Sequence, residues 1–430
     1  MTDEAMQDLL KTSDRLVGRV SVDFHRYLQI DWSDRLICLM GARGTGKTTM
    51  LRQRMKESFG VGSDKAVYIS LDDLWFSQYR VKDAVEYLDS HGFTHVFIDE
   101  VHQIGKDWSL LIKNLYDQFP DMNFVYSGSS MLKLENAKGD LSRRQAVYRL
   151  KGLSFREYLK FEGIADLPVL TLGEILENHR RIAVEITSGI KVLLHFGNYL
   201  RSGFYPFYKE SHSQYRERLL ETVNKVLESD YPAVEDVSQE TIRTTKKMLK
   251  VLASSTPQSP NMSELYRELG TERNQGLKML RALDRSGLLA LVPGKGMKLE
   301  NLSRPEKIYC DNTNLMYALV PKIDEGVKRE TYFYNQMRQC HNVEFTGVGD
   351  FLVDGRYIFE VGGKGKKFKQ IKDLSDSYVV NDNVEIGMGN KIPLWLFGLG
   401  WVCPSILPSF PPSLPFLLPL SLPTFLSTRL

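Results

Sequence analysis

The chain has 430 residues, enough for two to four domains with cores of their own. Hydrophobic residues make up 42% and charged residues 25%, as in ordinary soluble proteins, and a net charge of +3 gives no global reason to expect nucleic acid binding. The four scattered cysteines argue against a disulfide framework or a zinc finger and fit a reducing compartment. The acidic N-terminus lacks the apolar core of a signal peptide, so we expect a cytoplasmic protein.

The pattern G-x-x-x-x-G-K-T at residues 41–48 predicts a phosphate-binding loop, the Walker A motif. The apolar run Arg35–Met40 precedes it and the helix formers Thr49–Lys56 follow, which is the strand–loop–helix order that the motif requires. We expect Lys47 to reach the β- and γ-phosphates of a bound nucleotide and the Thr48 hydroxyl to bind Mg²⁺. The predicted nucleotide-binding residues are Gly41, Ala42, Arg43, Gly44, Thr45, Gly46, Lys47, Thr48 and Thr49.

A second motif, Thr94–Glu100, is an apolar strand that ends in two carboxylates, as in Walker B. We expect Asp99 to hold Mg²⁺ together with Thr48, and Glu100 to be the catalytic base that polarises the attacking water. The alternative is that the two acids only cap the next helix. Ser127, after the next strand, is predicted to lie near the γ-phosphate, although Ser-Gly-Ser is also ordinary loop composition.

Residues 1–150 alternate strand-like and helix-like runs, which predicts an α/β fold with a parallel sheet covered on both faces. The strands are expected at 35–40, 66–71, 95–99 and 123–127, and the helices include 79–90 and 108–118. Arg143 and Arg144 follow this region. We expect them to stabilise charge at the γ-phosphate, in cis or on a neighbouring subunit, with a solvated basic turn as the alternative.

Residues 151–240 are predicted to form a helical lid, and residues 241–315 a winged helix-turn-helix. Helices are expected over Thr244–Ala253, from 261 to Leu269 and over Thr271–Gly287, followed by a β wing. Double-stranded DNA would contact residues 271–298, unless the module serves only for packing. The side chains suited to such contacts are Arg273, Asn274, Lys278, Arg281, Lys295 and Lys298.

Residues 316–398 are predicted to form a small α+β domain like a restriction endonuclease. Asp350 and Glu360 lie on two adjacent strand candidates with Lys364 nearby, the outline of a metal-dependent nuclease site. Such sites usually place the lysine two residues after the acid, whereas Lys364 comes four residues after Glu360. A degenerate nuclease fold that binds without cleaving therefore remains an alternative to an active nuclease.

Residues 399–430 form a tail that consists from Pro404 onward almost entirely of Pro, Ser, Leu and Phe. Pyrimidine-only codons encode these four amino acids, so we expect a frameshift or read-through product that is disordered, with the native chain ending near Gly398. A membrane anchor is disfavoured by the recurring prolines, and a Pro-rich binding segment would be unusually apolar.

Taken together, these motifs resemble a prokaryotic family of AAA-type (AAA+ superfamily) P-loop ATPases that carry a winged helix and a nuclease-like C-terminal domain of unknown function. The resemblance covers roughly residues 10–398 and implies ATP as the nucleotide. The segments that carry it, besides 41–48 and 95–100, are Ser127-Gly128-Ser129-Ser130, Ser142-Arg143-Arg144, Phe155-Arg156-Glu157-Tyr158-Leu159, Arg304-Pro305-Glu306-Lys307-Ile308-Tyr309 and Phe359-Glu360-Val361-Gly362-Gly363-Lys364.

The first interpretation of the chain is an ATP-hydrolysing switch that couples nucleotide state to DNA or to a protein partner through its C-terminal modules. The alternative is an ATP-regulated, metal-dependent DNA nuclease. A third interpretation is a nucleotide-gated binding module with negligible turnover. Self-association is also open, and no membrane partner is expected.

Overall fold

The computed structural model describes residues 2–129, 141, 143–210, 213–254, 261–297, 305–366, 371 and 374–400. The Pro/Ser/Leu/Phe-rich part of the tail lies outside these residues, as do Ser130, Ser142, Lys298 and Arg304. Within the described part of the chain, no helix combines the length and apolarity needed to cross a bilayer.

The N-terminal part is built on a five-stranded sheet in the order β2-β3-β4-β1-β5, and all of its pairings are parallel. β1, from which the phosphate-binding loop departs, is buried along its whole length, as expected of a central strand covered on both faces. The strands are β1 (Leu36–Gly41), β2 (Ala66–Ser70), β3 (His95–Asp99), β4 (Asn123–Ser129) and β5 (Ala146–Arg149). The predicted α/β fold is confirmed; β5 was not predicted.

Two hydrophobic cores lie on the two faces of this sheet. Val96 and Ile98 of β3 face one core, while Phe97 between them faces the other, because successive strand side chains point to opposite faces. The covering helices are α1 (Asp3–Gly18), α2 (Lys47–Phe59), α3 (Val81–Ser90) and α4 (Trp108–Gln118).

Between residues 155 and 234 the described part of the chain is mostly helical. α5 and α6 each begin with a capping box, formed by Ser154 with Glu157 and by Thr171 with Glu174. After α8 the chain passes through one π-helical turn, Val226–Asp230, directly into α9. The helices are α5 (Phe155–Phe161), α6 (Leu172–Thr187), α7 (Val192–Ser202), α8 (Tyr215–Lys225) and α9 (Tyr231–Val234).

Three helices and an antiparallel strand pair follow in the predicted order. They are α10 (Gln239–Ser254), α11 (Met262–Glu268), α12 (Arg273–Arg285), β6 (Leu289–Val292) and β7 (Lys307–Cys310). All residues of both strands are buried, so the pair belongs to the core and not to an exposed wing. α10 begins earlier than expected, at Gln239.

The last unit is a mixed sheet in the order β12-β11-β10-β9-β8 with two helices. β8, β9 and β10 pair antiparallel, whereas β10, β11 and β12 pair parallel. Its elements are α13 (Thr313–Leu319), α14 (Glu325–Met337), β8 (Val343–Glu344), β9 (Phe351–Val353), β10 (Tyr357–Gly362), β11 (Ser377–Asn381) and β12 (Lys391–Pro393).

One continuous hydrophobic core runs from Leu153 to Leu399 through the lid, the three-helix unit and the last sheet. The boundaries expected at 240 and 315 therefore do not separate independent cores. Units of this size have little apolar surface to bury alone, so packing against neighbours is the favourable solution. The segment Leu394–Leu399 is buried in the same core and closes it at the lid helices α5 and α6.

Candidate nucleotide-binding site

The loop between β1 and α2 has the geometry of an anion cradle. Gly44 and Gly46 both have left-handed backbones, with φ of 84° and 97°, which residues with a Cβ rarely adopt. The buried Lys47 ammonium donates hydrogen bonds to the carbonyls of Gly41 at 2.9 Å and Ala42 at 3.2 Å. Burial lowers the pKa of Lys47, although the carboxylates of Glu100 and Asp99 favour its charged form.

Asp99 lies at the end of β3 and accepts three hydroxyl hydrogen bonds. Thr48 Oγ1 donates to Asp99 Oδ2 at 2.6 Å, Tyr68 donates to the same oxygen at 2.7 Å, and Ser127 donates to Oδ1. The structure thus brings Thr48, Asp99 and Ser127 together, as their positions at one sheet edge predict. Tyr68 was not predicted, because nothing around it in the sequence marks a site.

Glu100 sits in a strained backbone conformation, left-handed with φ of 58° and ψ of 43°. Its backbone N–H donates to Ser127 Oγ at 3.2 Å, and its carboxylate lies 3.1 Å from His102 Nε2. Its side chain is only partly buried, unlike that of Asp99. The chain is therefore held in an unfavourable turn that presents this carboxylate beside the loop.

His102, Asp230 and Arg43 form a buried polar cluster that sequence reasoning missed. Asp230, the last residue of the π-helical turn, lies 2.9 Å from Arg43 Nη2 and 3.5 Å from His102 Nε2. Burial alone would raise the pKa of Asp230, but hydrogen bonds with His102 and Arg43 lower it below its ordinary value. The lid is thereby connected both to the phosphate-binding loop and, through His102, to Glu100.

A family profile described as AAA domain matches residues 33–159, the segment that carries this geometry. Residues 33–159 form an AAA-type P-loop domain. A second profile, described as a domain of unknown function (DUF8612), matches residues 194–325. It covers the end of the lid and the three-helix unit.

Over most of its length the chain is similar to the uncharacterized protein MJ1637 of Methanocaldococcus jannaschii. The two are 26% identical over 407 residues, which cover 85% of this chain and 83% of that protein.

Two solved structures are similar to this chain at lower sequence identity. A RuvB variant of Thermotoga maritima is 17% identical with a TM-score of 0.26, covering 68% of this chain and 90% of its own. AMPPCP-bound DnaA from Aquifex aeolicus is 15% identical with a TM-score of 0.24, covering 66% and 88%.

Four successive loop residues of the AAA domain each touch a different segment outside the loop. A Cβ placed on Gly287, at the end of α12, would lie 3.2 Å from Ala42 Cβ, and a Cβ placed on Gly44 would lie 2.7 Å from the Phe207 ring. Arg43 pairs with Asp230. The Thr45 carbonyl accepts a hydrogen bond of 2.6 Å from the guanidinium of Arg26.

Arg143 and Arg144 lie at the opposite end of the sheet from the phosphate-binding loop. β5 begins at Ala146 beside Ile37, near the start of β1, whereas the loop departs from the end of that strand. Arg144 pairs with Asp117 at 3.1 Å, and Arg143 is exposed. Within one chain they do not reach the site, so only the role on a neighbouring subunit remains a prediction.

The predicted second site is a buried cluster of alternating charges. Lys307 Nζ lies 2.9 Å from Glu330 and 3.3 Å from Asp350, and so bridges the two carboxylates. Glu360 pairs with Lys366 at 2.5 Å. Burial, reinforced by Asp350, raises the pKa of Glu330 although Lys307 opposes the shift.

The lysine that meets Glu360 is thus Lys366, while the predicted Lys364 is exposed. The chain turns back between Gly363 and Lys366, where the N–H of Lys366 donates to the Gly363 carbonyl at 2.9 Å. In the described part of the chain, no group of three or more acidic, histidine or cysteine side chains is arranged to hold a metal ion.

The side chains predicted to contact DNA are only partly at the surface. Arg273, Asn274 and Lys278 on α12 and Lys295 after β6 are exposed, whereas Arg281 is half-buried. The exposed residues leave a local basic face on α12, as the sequence predicts.

Proposed function

We propose that the chain is an ATP-hydrolysing switch in which the nucleotide state is passed from the AAA domain to residues 194–325. The observation that carries the proposal is the set of contacts along the phosphate-binding loop, where each of residues 42–45 touches a different part of the chain. Any movement of the loop on binding or losing a phosphate acts directly on the lid and on the end of α12.

The main residues of the predicted site have distinct roles in this proposal. Lys47 neutralises the β- and γ-phosphates, and the loop N–H groups bind their oxygens. Glu100 accepts the proton of the attacking water, and Ser127 holds the backbone N–H of Glu100 and one oxygen of Asp99 in place. An exposed Arg143 would stabilise the transferred charge on the neighbouring subunit of an assembly.

Thr48 and Asp99 suit Mg²⁺, because a hydroxyl and a carboxylate 2.6 Å apart are hard oxygen donors. With a single carboxylate, this pair holds the ion only together with phosphate oxygens and water, which is the usual arrangement for Mg²⁺ at nucleotides. Bound there, the ion neutralises charge on the phosphates.

The partner of the switch is proposed to be double-stranded DNA at the exposed face of α12, where Arg273, Asn274 and Lys278 are free to reach phosphates and base edges. The burial of β6 and β7 supports the other possibility, that the three-helix unit is a packing module and that the partner of the switch is a protein. Adding DNA to an ATPase assay separates the two, since stimulation that Lys278→Glu removes favours DNA.

The alternative of a metal-dependent nuclease is not supported by the second cluster. The Lys307 ammonium already lies between Glu330 and Asp350, and Lys366 neutralises Glu360. A divalent cation would have to displace a paired, buried ammonium, which is costly. We therefore propose no cleavage step there.

The coupling is tested with the full chain, because the shared core of residues 153–399 makes truncation at 240 disruptive. ATP should change the pattern of limited proteolysis within 194–325, and Phe207→Ala should weaken that change while leaving ATP binding intact. Leu194→Ala, at an exposed position of α7, is the matched control. An identical ATP-dependent pattern in wild type and Phe207→Ala would contradict coupling through this contact.

A further inference from the structure

We propose that Asp230 controls whether His102 restrains Glu100, so that the lid sets the rate of hydrolysis through one shared hydrogen bond. The proposal rests on the proposed ATPase function and deepens it. Asp230 is a positioning residue in this scheme and does not touch the nucleotide.

The competition arises because one ring nitrogen of His102 lies within ion-pair distance of two carboxylates. Its Nε2 lies 3.1 Å from Glu100 Oε2 and 3.5 Å from Asp230 Oδ1, while the side-chain amide of Gln103 lies at 3.4 Å. A nitrogen that faces two carboxylates carries a proton, but one N–H cannot donate well in two directions. Nδ1 is buried and has no hydrogen-bond partner among the described residues, so the contacts at Nε2 orient the ring.

The competition decides how Glu100 can act. When the His102 N–H points to Glu100, it occupies a lone pair that a general base needs for the proton of water. When the N–H points to Asp230, the Glu100 carboxylate is free. Asp230 is an effective competitor because it is anionic, almost fully buried and held at 2.9 Å by Arg43.

Only one of the two acceptors moves with the lid. Glu100 and His102 are two residues apart in the AAA domain, whereas Asp230 lies in the π-helical turn between α8 and α9. Single π-helical turns inside helices are frequent at functional sites. A small displacement of this turn changes the distance from Asp230 to His102 and leaves the distance from His102 to Glu100 as it is.

A double-mutant cycle tests the proposal. Asp230→Asn weakens the competing acceptor, so kcat for ATP should fall about tenfold while the Kd for ATP stays within about twofold. His102→Phe removes the donor, so kcat should be at least that of wild type. In the His102→Phe background, Asp230→Asn should then change kcat by less than about twofold. Glu228→Gln is the matched control, because this exposed acid lies in the same turn and pairs only with Lys246 among the described residues.

If Asp230→Asn still lowers kcat about tenfold in the His102→Phe background, the proposal is overturned, since Asp230 would then act through Arg43 or through packing. So would an equal loss of ATP affinity and turnover in Asp230→Asn.

A second measurement separates this proposal from the proposed function. The side-chain ¹⁵N signals of His102 should shift on Asp230→Asn and, separately, on Glu100→Gln, even in a protein without turnover. If wild type hydrolyses no ATP while these shifts appear, the ATPase proposal fails and the shared hydrogen bond stands. If turnover is normal and Asp230→Asn leaves the His102 signals unchanged, the shared hydrogen bond fails alone.

Discussion

Arg26 should be one of the most stabilising charged residues of the chain. Its guanidinium donates to Glu157 at 2.9 Å and to the carbonyls of Thr45, Lys151 and Gly152 at 2.6, 2.8 and 2.9 Å. The side chains of the ion pair are only 7% and 3% exposed. Arg26 therefore joins the N-terminal segment, the phosphate-binding loop and the first lid helix in one buried contact.

Removing this guanidinium leaves a buried carboxylate without its cation. Removing one partner of a buried ion pair lowers the stability of the fold by about 3–5 kcal/mol. Glu157 would keep hydrogen bonds of 3.0 Å from the N–H groups of Tyr27 and Ser154. We therefore expect Arg26→Met to lower the free energy of unfolding by about 3 kcal/mol, the lower end of this range. At about 2–4 °C per kcal/mol, the first unfolding transition should move down by roughly 6 °C or more.

Thermal unfolding and urea titration of Arg26→Met measure this cost. Arg80→Met is the control, because Arg80 is 82% exposed and its ion pair with Asp83, three residues along the same helix, is screened by water and adds little stability. Adding Glu157→Gln to Arg26→Met removes the stranded charge and should restore part of the stability. Equal losses in Arg26→Met and Arg80→Met would refute the reasoning.

The pH dependence of the same pair has a definite sign. Burial would raise the pKa of Glu157, but the Arg26 guanidinium and backbone N–H groups hold it below its ordinary value. The stability from such a carboxylate is present above its unfolded-state pKa and is lost as the pH falls through the lowered folded-state pKa. The difference in stability between wild type and Arg26→Met should therefore narrow in acid.

Three other predictions concern function. Gly44→Ala should abolish ATP binding, measured with a fluorescent nucleotide, because φ is 84° and a Cβ would lie 2.7 Å from Phe207; full binding would contradict this geometry. Mixing inactive Arg143→Ala with inactive Glu100→Gln should restore part of the ATP turnover if Arg143 acts on a neighbouring subunit, and no recovery would remove that role. Wild type should leave supercoiled plasmid uncut in Mg²⁺, because the Lys307 ammonium bridges two carboxylates of the second cluster; cleavage in proportion to protein would contradict this.

The sequence predicted the parts of the site that local patterns encode. The loop at 41–48 and the strand ending in Asp99 and Glu100 are continuous motifs, and parallel-sheet topology is enough to bring them to the same edge. Four of the five strands in the first 150 residues followed from apolar runs of the right length, whereas the short β5 and the first helix, α1, were not predicted.

The contacts that control the site were not predictable from one sequence. Arg43 and Asp230 are 187 positions apart, and Arg26 and Glu157 are 131 apart, so no local pattern indicates either pair. His102 follows Glu100 closely, but its role depends on where the lid places Asp230. Glu360 pairs with Lys366 and not with Lys364 because the chain turns back between Gly363 and Lys366, and residue spacing alone does not indicate that turn.

Steady-state ATP hydrolysis by the full chain, with Lys47→Ala and Glu100→Gln beside wild type and with or without double-stranded DNA, tests the central claim most directly. The account predicts Mg²⁺-dependent turnover in wild type that both substitutions abolish, with ATP binding lost in Lys47→Ala and kept in Glu100→Gln. DNA should raise wild-type turnover if α12 contacts it, and an unchanged rate would turn the search to a protein partner. Wild type that binds ATP without hydrolysing it, or Glu100→Gln that hydrolyses ATP as fast as wild type, would contradict the account.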